Sequence, residues 1–458
     1  MLIDKHEADN ILNRIPGLTI KMSPELTAID QVLDDDELFC MIRDDLGHRY
    51  PNTLTAGRKS TPVEVTLRML AIKHLYDWSY EQTALRVADS LVLRQFCRVY
   101  LQATPDKSTL CRWANLIQPQ TLQAFNQHIM NLAIDNKLTR GRKLRMDGTV
   151  VETTIHHPTD SRLLADSVRV LGRTLTRAKS LLGSETELRK ETFRNRQRSA
   201  KRAARKIAGL SRRGREQMKS HYQRLVQTTQ ATVRQAERVL AELQNQVADA
   251  GHKLIETLQT FLPRARQVVD QTMRRVFAGE KVPQAEKLVS IFEPHTDIIR
   301  RGKVNKDTEF GHKVWLGEVE GAFIAQYEVL DGNPNDESQW QPALENHVQL
   351  FGRPPTQASA DRGVHSASNE AFAAKLGVKR IVLPKPGRKS ETRRQHERQR
   401  WFWRGRRFHA GVEGRISVIK RKYGLDRCRN RGQVGFERWV GWGVIANNLT
   451  AMGKGLSP

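Results

Sequence analysis

The sequence contains no apolar run approaching the roughly 18 residues that argue for a membrane-spanning helix, so anionic membrane is the weaker partner for this chain. It has only four cysteines, Cys40, Cys97, Cys111 and Cys428, scattered and without a CxxC pair. That excludes a zinc ribbon or a disulfide framework as the organising device and fits a reducing cytoplasm. The N-terminus MLIDKHEADN is polar and acidic, without the features of a signal peptide. Hydrophobic content is low, at 38% with a mean hydropathy of −0.58, so part of the 458-residue chain is expected to be elongated and solvated. Acids are also scarce. Against 50 Asp and Glu stand 76 Lys and Arg, a formal charge of +26 and a pI near 10.2. A field of that sign attracts nucleic acid or anionic membrane, and nucleic acid is the stronger of the two.

Residues 1–60 form an N-terminal segment that is first acidic and then turn-rich. At Thr61 a helical pattern begins, with Thr61 as cap, Pro62 at the first helical position and Glu64 in the first turn. Val65, Met69, Ile72 and Leu75 or Tyr76 would share one face. A second helical unit starts at Ser79, with Gln82 completing a capping box. A turn then leads to a third helix carrying Arg112, so residues 61–138 read as an all-helical, helix-turn-helix-like DNA-binding domain or as a small bundle that only packs.

Residues 139–161 contain KLRMDGTVVETTI, whose β-branched alternation reads as a strand with Asp147 inside it. Residues 162–284 are almost entirely helix formers. Leu225, Thr229, Thr232, Ala236, Val239, Leu243, Val247, Ala250, Leu254 and Leu258 make a coiled-coil seam, with a basic partner run before it and a turn near Gly209 to Gly214. This predicts a hairpin of two long antiparallel helices, about 60 Å each at about 1.5 Å per residue, whose positive bias suits DNA. Residues 285–458 resume the β pattern in EKLVSIFEPHTDIIRRGK, FGHKVWLGEVEGAFIAQYEVLDG and QASADRG. Helices are expected at SQWQPALENHVQLFG and SNEAFAAKLG, and a short strand at KRIVLPKP. The result is an α/β core interrupted by a helical insertion, with a basic C-terminal region and a final apolar helix.

Three carboxylates stand out. Asp147 and Asp361 lie at strand-like runs, and Glu413 opens a basic helix. Few, rigid, acidic ligands are what a pair of Mg²⁺ ions needs for phosphodiester cleavage. Lys420 follows Glu413 by seven positions (420 − 413), which puts both on one helix face. Glu397 and Glu391 are rivals to Glu413. Asp336 is a secondary acid or a helix N-cap, and His365 is a neighbour of the Asp361 turn. His156 and His157 point to opposite faces of a strand, which argues against a shared metal. Trp401, Phe402 and Trp403, set among arginines, either stack on bases or pack on the core.

MDGT, ADRG and E-x6-K followed by KRKYG resemble the DDE transposases of bacterial insertion sequences. HHPTDSRLL, FEPHTDII and FGHKVWLG resemble the ISNCY-type group in particular. The resemblance runs from about Thr61 to the C-terminus. It implies an α/β fold with an RNase H-like mixed-sheet core, interrupted by the long helical (coiled-coil) insertion and preceded by an N-terminal all-helical domain. It also implies two Mg²⁺ ions, with Mn²⁺ as a substitute, held by Asp147, Asp361 and Glu413. The expected activity is cleavage and strand transfer at transposon ends by a homodimer on DNA, in a bacterial cytoplasm at the nucleoid. The alternatives are a non-cutting DNA-binding derivative and a nuclease without strand transfer. DNA contacts are expected from Lys420, Arg415, Arg406, His409, Arg421, Lys422 and Trp403. Relatives often carry Tyr and Arg where this chain has Arg406 and His409, and His409 is expected to replace that arginine as a phosphate donor.

Overall fold

Local signals set the N-terminal helices. Ser23 caps α1 (Pro24–Val32) through the Leu26 N–H, and Asp35 caps α2 (Asp36–Gly47) through the Glu37 and Leu38 N–H groups. The helix α3 (Val63–Leu75) starts one residue later than expected, with Pro62 rather than Thr61 at the cap and no side-chain bond there. Its expected single apolar face is also wrong, because every residue of α3 is buried. It runs between α2, α4 (Tyr80–Asp89), α6 (Lys107–Ala114) and α16 (Gln433–Leu456), so its polar residues need internal partners. Arg68 finds them in Asp30, Asp34 and Glu64. The Ser79–Gln82 capping box of α4 forms as expected. α5 (Leu91–Phe96) and α7 (Pro119–Asp135) complete this helical region.

In this computed structural model the described residues are 1–7, 20–183, 188, 190–210, 215–246, 248–303 and 306–457. The chain divides into two units, Met1–Thr154 with Arg301–Pro458, and Ile155–Arg300. In the first, the helices share one hydrophobic core with a mixed sheet. The strands are β1 (Lys143–Glu152), β2 (Asp297–Lys303), β3 (Lys306–Val319), β4 (Ile324–Val329), β5 (Gln357–Ser359) and β6 (Arg380–Val382). Their order is β2-β3-β1-β5-β6, with β4 also on β3. β3 runs antiparallel to β1 and β4, while β5 and β6 add in parallel, an arrangement consistent with an RNase H-like core. α12 (Trp340–Phe351) and α13 (Ala367–Leu376) fall where the sequence placed them. The start of β4 is held by Asn448 of α16, whose Oδ1 accepts the Ile324 N–H and whose Nδ2 donates to the Ile324 carbonyl. EKLVSIFEPH is not a strand. Around it, Ser290 caps the Phe292 and Glu293 N–H groups and Gln271 binds Leu288, so the backbone is satisfied without a ladder.

The second unit differs from the expected hairpin. α8 (Asp160–Leu182), α10 (Arg215–Gln246) and α11 (Ala248–Thr272) pack on one another, and α9 (Gln197–Gly209) lies on α8 and α10. The seam is split. Leu225 to Leu243 are buried on α10, Leu258 is buried on α11, and Ala250 is exposed. The apolar face of α8, with Leu164, Val168, Leu171 and Leu175, supplies a third wall that a two-helix reading lacks. α10 has 32 residues, about 48 Å by its rise, rather than about 60 Å. Val247 and residues 211–214 of the expected turn lie outside the described residues.

The C-terminal basic stretch forms α14 (Glu391–Arg398) and α15 (Arg400–Lys422). Trp401, Phe402 and Trp403 therefore sit in the first turn of α15. α15 crosses the sheet at close range. A Cβ on Gly405 would stand 2.4 Å from Val382 Cγ2 on β6, and one on Gly411 would stand 2.2 Å from an Arg145 guanidinium nitrogen on β1. Gly414 has nothing within 4 Å. The two sites make opposite predictions. Gly405→Ala overpacks the helix–sheet contact, at a cost of about 1–3 kcal/mol. Gly414→Ala gains helix propensity of up to about 1 kcal/mol. Urea unfolding midpoints are expected to fall for the first and to rise or hold for the second.

Candidate active site

On β1 the alternation sets the face of each side chain. Leu144 and Met146 are buried in the core, while Arg145 and Asp147 are half-buried on the face that α15 covers. β5 runs parallel beside β1 with Arg145 level with Ser359. Two residues further along each chain stand Asp147 and Asp361, so the register brings the two aspartates level although 214 positions separate them (361 − 147). Asp361 has left the ladder and begins the turn Arg362–Val364, with its side chain 69% exposed.

α15 brings the third acid. Glu413 does not open this helix; it lies in its middle, exposed, because the helix begins at Arg400. Two arginines hold the helix in place. Arg145 forks onto Glu318 of β3 with bonds of 2.8 and 2.7 Å and donates to the Phe408 carbonyl of α15 at 2.6 Å. Arg415 reaches the same Glu318 at 3.2 Å. Asp147, Asp361 and Glu413 consequently line one cleft, together with Arg362, Arg406, His409 and Val412. His409 Nε2 lies 3.0 Å from Asp361 Oδ1, and Asp147 Oδ1 accepts the Gly148 N–H at 2.7 Å.

Among the described residues no group of three or more His, Cys, Asp or Glu side chains is arranged so that it could hold a metal ion. Three carboxylates on the wall of one cleft nevertheless supply hard oxygen donors, the ligand type that Mg²⁺ takes in small number beside several waters.

The other expected site residues separate into two groups. Arg406 lines the cleft and is exposed. Trp403 is 52% exposed under the Arg407 guanidinium, and Arg421 and Lys422 are exposed at the end of α15. Lys420 instead donates to the Val150 carbonyl of β1 at 2.7 Å, and Arg415 is held by Glu318 and Asn447, so both serve the fold in this state. Seven helical residues span about 10 Å, which carries Lys420 past the cleft that Glu413 lines. Phe402 is fully buried and Trp401 stacks edge-on with His396. His365 lies 3.8 Å from Glu370 and does not line the cleft. His156 and His157 are exposed, in the second unit. Asp336 is not an N-cap; Asn335 holds that place. The sequence reading missed Arg145, Glu318, Gly405 and Gly411. Its available signals were an arginine two residues before Asp147 and glycines inside a run of helix formers.

Glu397 is excluded as a rival to Glu413. Its side chain is 7% exposed and engaged by Lys389, by Arg393 and by the Lys385 N–H. Burial alone would raise its pKa, but these donors hold it down, from 4.5 to about 2.

Two family models match the chain. Residues 18–116 match a transposase domain (DUF772), and residues 312–449 match the transposase DDE domain, an enzyme domain acting on DNA. The chain thus carries the two domains of a DDE transposase. The DDE match includes Asp361, Glu413 and Lys420, while Asp147 lies outside it. A Rhizobium meliloti protein described as uncharacterized, ORF8 in the nfe locus, is 30% identical over 123 residues, 26% of this chain and 59% of that protein. The chain therefore spans little more than half of that relative. No solved structure matches. No described helix is long and apolar enough to cross a membrane.

The Glu397 clamp makes a pH prediction. A carboxyl whose folded pKa is depressed contributes stability that is present above its unfolded pKa and lost as pH falls through the folded value. The difference in urea midpoint between wild type and Glu397→Gln is expected to be full above about pH 4.5 and to vanish towards pH 2.

Proposed function

We propose that the chain is a transposase of the ISNCY-type group that cuts DNA at the ends of an insertion sequence and joins the freed 3′ ends to a target. The observation that carries this reading is the single cleft lined by Asp147, Asp361 and Glu413 in a chain with a transposase DDE domain. The three carboxylates would hold two Mg²⁺ ions, with Mn²⁺ as a substitute. Bound there, the ions supply a polarised attacking oxygen and neutralise charge on the leaving one.

The remaining work belongs to the protein. β1 and the β5 turn hold the two aspartates level, and α15 is fixed by Arg145 and Arg415, so the acids are positioned before DNA arrives. Arg362 and Arg406 on the cleft wall attract the scissile phosphate. His409, beside Asp361, orients that carboxylate rather than donating to phosphate. Trp403, Arg421 and Lys422 extend the contact along DNA. α9 adds Arg198, Lys201, Arg202, Arg205 and Lys206, all exposed on a helix without an acid. Joining two ends calls for a homodimer on DNA.

The test uses DNA carrying the ends that flank the gene. Wild type is expected to cleave it with Mg²⁺. Asp147→Asn and Glu413→Gln should bind it equally well but cut it more slowly by over about 100-fold, more than the loss of an outer-shell partner costs. Cleavage without joined product when a 3′-hydroxyl donor is supplied would favour a plain nuclease, and binding without cleavage by wild type would favour a non-cutting derivative. Affinity should also fall linearly in log–log form with salt, by a slope of about −0.9 per phosphate neutralised. Replacing the five basic residues of α9 with glutamine is expected to flatten that slope, and an unchanged slope would remove α9 from the interface.

A further inference from the structure

Asp336 is the acid that the proposed reaction does not use. It follows Asn335 in the turn before α12 and is not on the wall of the cleft. Its Oδ1 lies 2.7 Å from Lys313 Nζ, and Lys313 also donates to the Pro334 carbonyl at 2.8 Å. The lysine side chain is only 9% exposed. The pair lies against the backbone beside both catalytic aspartates. A Cβ at Gly148 would stand 3.1 Å from Lys313 Cε and 3.2 Å from Asp336 Oδ1. One at Gly363 would stand 3.9 Å from Asp336 Oδ2. Gly148 follows Asp147 and donates its N–H to the Asp147 carboxylate. Gly363 is two residues beyond Asp361. One carboxylate therefore stands beside both stretches of main chain whose separation sets the gap between Asp147 and Asp361.

Alternation on β1 makes the division of labour clear. Asp147 points to the α15 face, while Gly148 presents the opposite face to Lys313 and Asp336. Asp336 thus supports the site from beneath. At Gly148 a side chain would crowd the pair, whereas at Gly363 one would only make ordinary contact with Asp336.

We infer that Asp336 and Lys313 form a positioning couple that sets the spacing of Asp147 and Asp361 for divalent cations. This rests on the catalytic reading above. The role belongs to the ion pair, since neither residue reaches the cleft. Loss of one member leaves the other charge poorly solvated and frees the turn at Gly363.

The experiment is Mn²⁺ binding to the full chain, read as the electron paramagnetic resonance signal of the free ion, with thermal unfolding measured in parallel. Asp336→Asn and Lys313→Met are each expected to weaken Mn²⁺ binding by about 10-fold or more, the scale on which outer-shell partners act on metal affinity. The charge exchange Asp336→Lys with Lys313→Asp should recover most of it. A purely structural pair would lower the unfolding temperature and leave the affinity of the folded protein within about twofold of wild type; that outcome overturns the inference. If a single variant fails to fold, the double variant Asp336→Asn with Lys313→Met, which leaves no unpaired charge, carries the same comparison. Asp147→Asn separates this idea from the reading it rests on. Wild type binding Mn²⁺ no better than Asp147→Asn brings down both, whereas a loss in Asp147→Asn without one in Asp336→Asn brings down this inference alone.

Discussion

A single buried carboxylate, Glu318, decides where the site's third acid stands. It is almost wholly buried on β3, opposite Arg145 on β1, and it receives both Arg145 and Arg415. Breaking a buried ion pair by removing one partner costs about 3–5 kcal/mol, because the remaining charges are stranded. Here the stranded groups would be two guanidiniums on different elements. Replacing the whole cluster by apolar residues need not cost stability, so its value lies in specificity. Only one placement of α15 lets Arg415 reach Glu318 while the Phe408 carbonyl meets Arg145, and that placement turns Glu413 towards Asp147 and Asp361.

This constraint explains an otherwise poor helix. α15 contains Gly405, Gly411 and Gly414, and each interior glycine costs about 1 kcal/mol of helix propensity relative to alanine. At Gly405 and Gly411 the loss is the condition for close approach, since a methyl group would collide with Val382 or with Arg145. The helix can lie low enough over the sheet for Arg145 to bond its backbone only because those side chains are missing.

Much of this was legible in the sequence, and the misses have physical causes. The strand at Asp147, the turn at Asp361 and the helices around them carry strong local signals, and the structure has them where the patterns pointed. The start of α15 was hidden because arginines dominate RWFWRGRRFHAG; Phe402, Gly405, Val412 and Ile419 do meet the core at helical spacing, but the stripe is one residue wide and includes a glycine, so it does not read as an apolar face. Lys420 was assigned to DNA by its spacing from Glu413 and by resemblance, as Arg415 was by resemblance, and neither signal shows the Val150 carbonyl or the Glu318 carboxylate that these cations also bond. The insertion looked like a two-helix hairpin because a heptad-like seam marks buried positions without counting the helices that bury them. Arg145 and Glu318 are 173 residues apart (318 − 145), and their pairing depends on register, which a single sequence does not display.

The charge balance of the cleft completes the argument. Carboxylates alone would repel a phosphodiester, and the surrounding arginines alone would bind one without activating it. Arg145 and Arg415 are spent on Glu318, while Arg362 and Arg406 sit on the wall beside Asp147, Asp361 and Glu413. In the proposed reaction the acids would serve divalent cations, while the wall would supply attraction for DNA. Carboxylates held level by the sheet, with their nearby arginines drawn off by a buried glutamate, are what a site for phosphoryl transfer requires, because that chemistry depends on positioning and charge more than on covalent help from the protein.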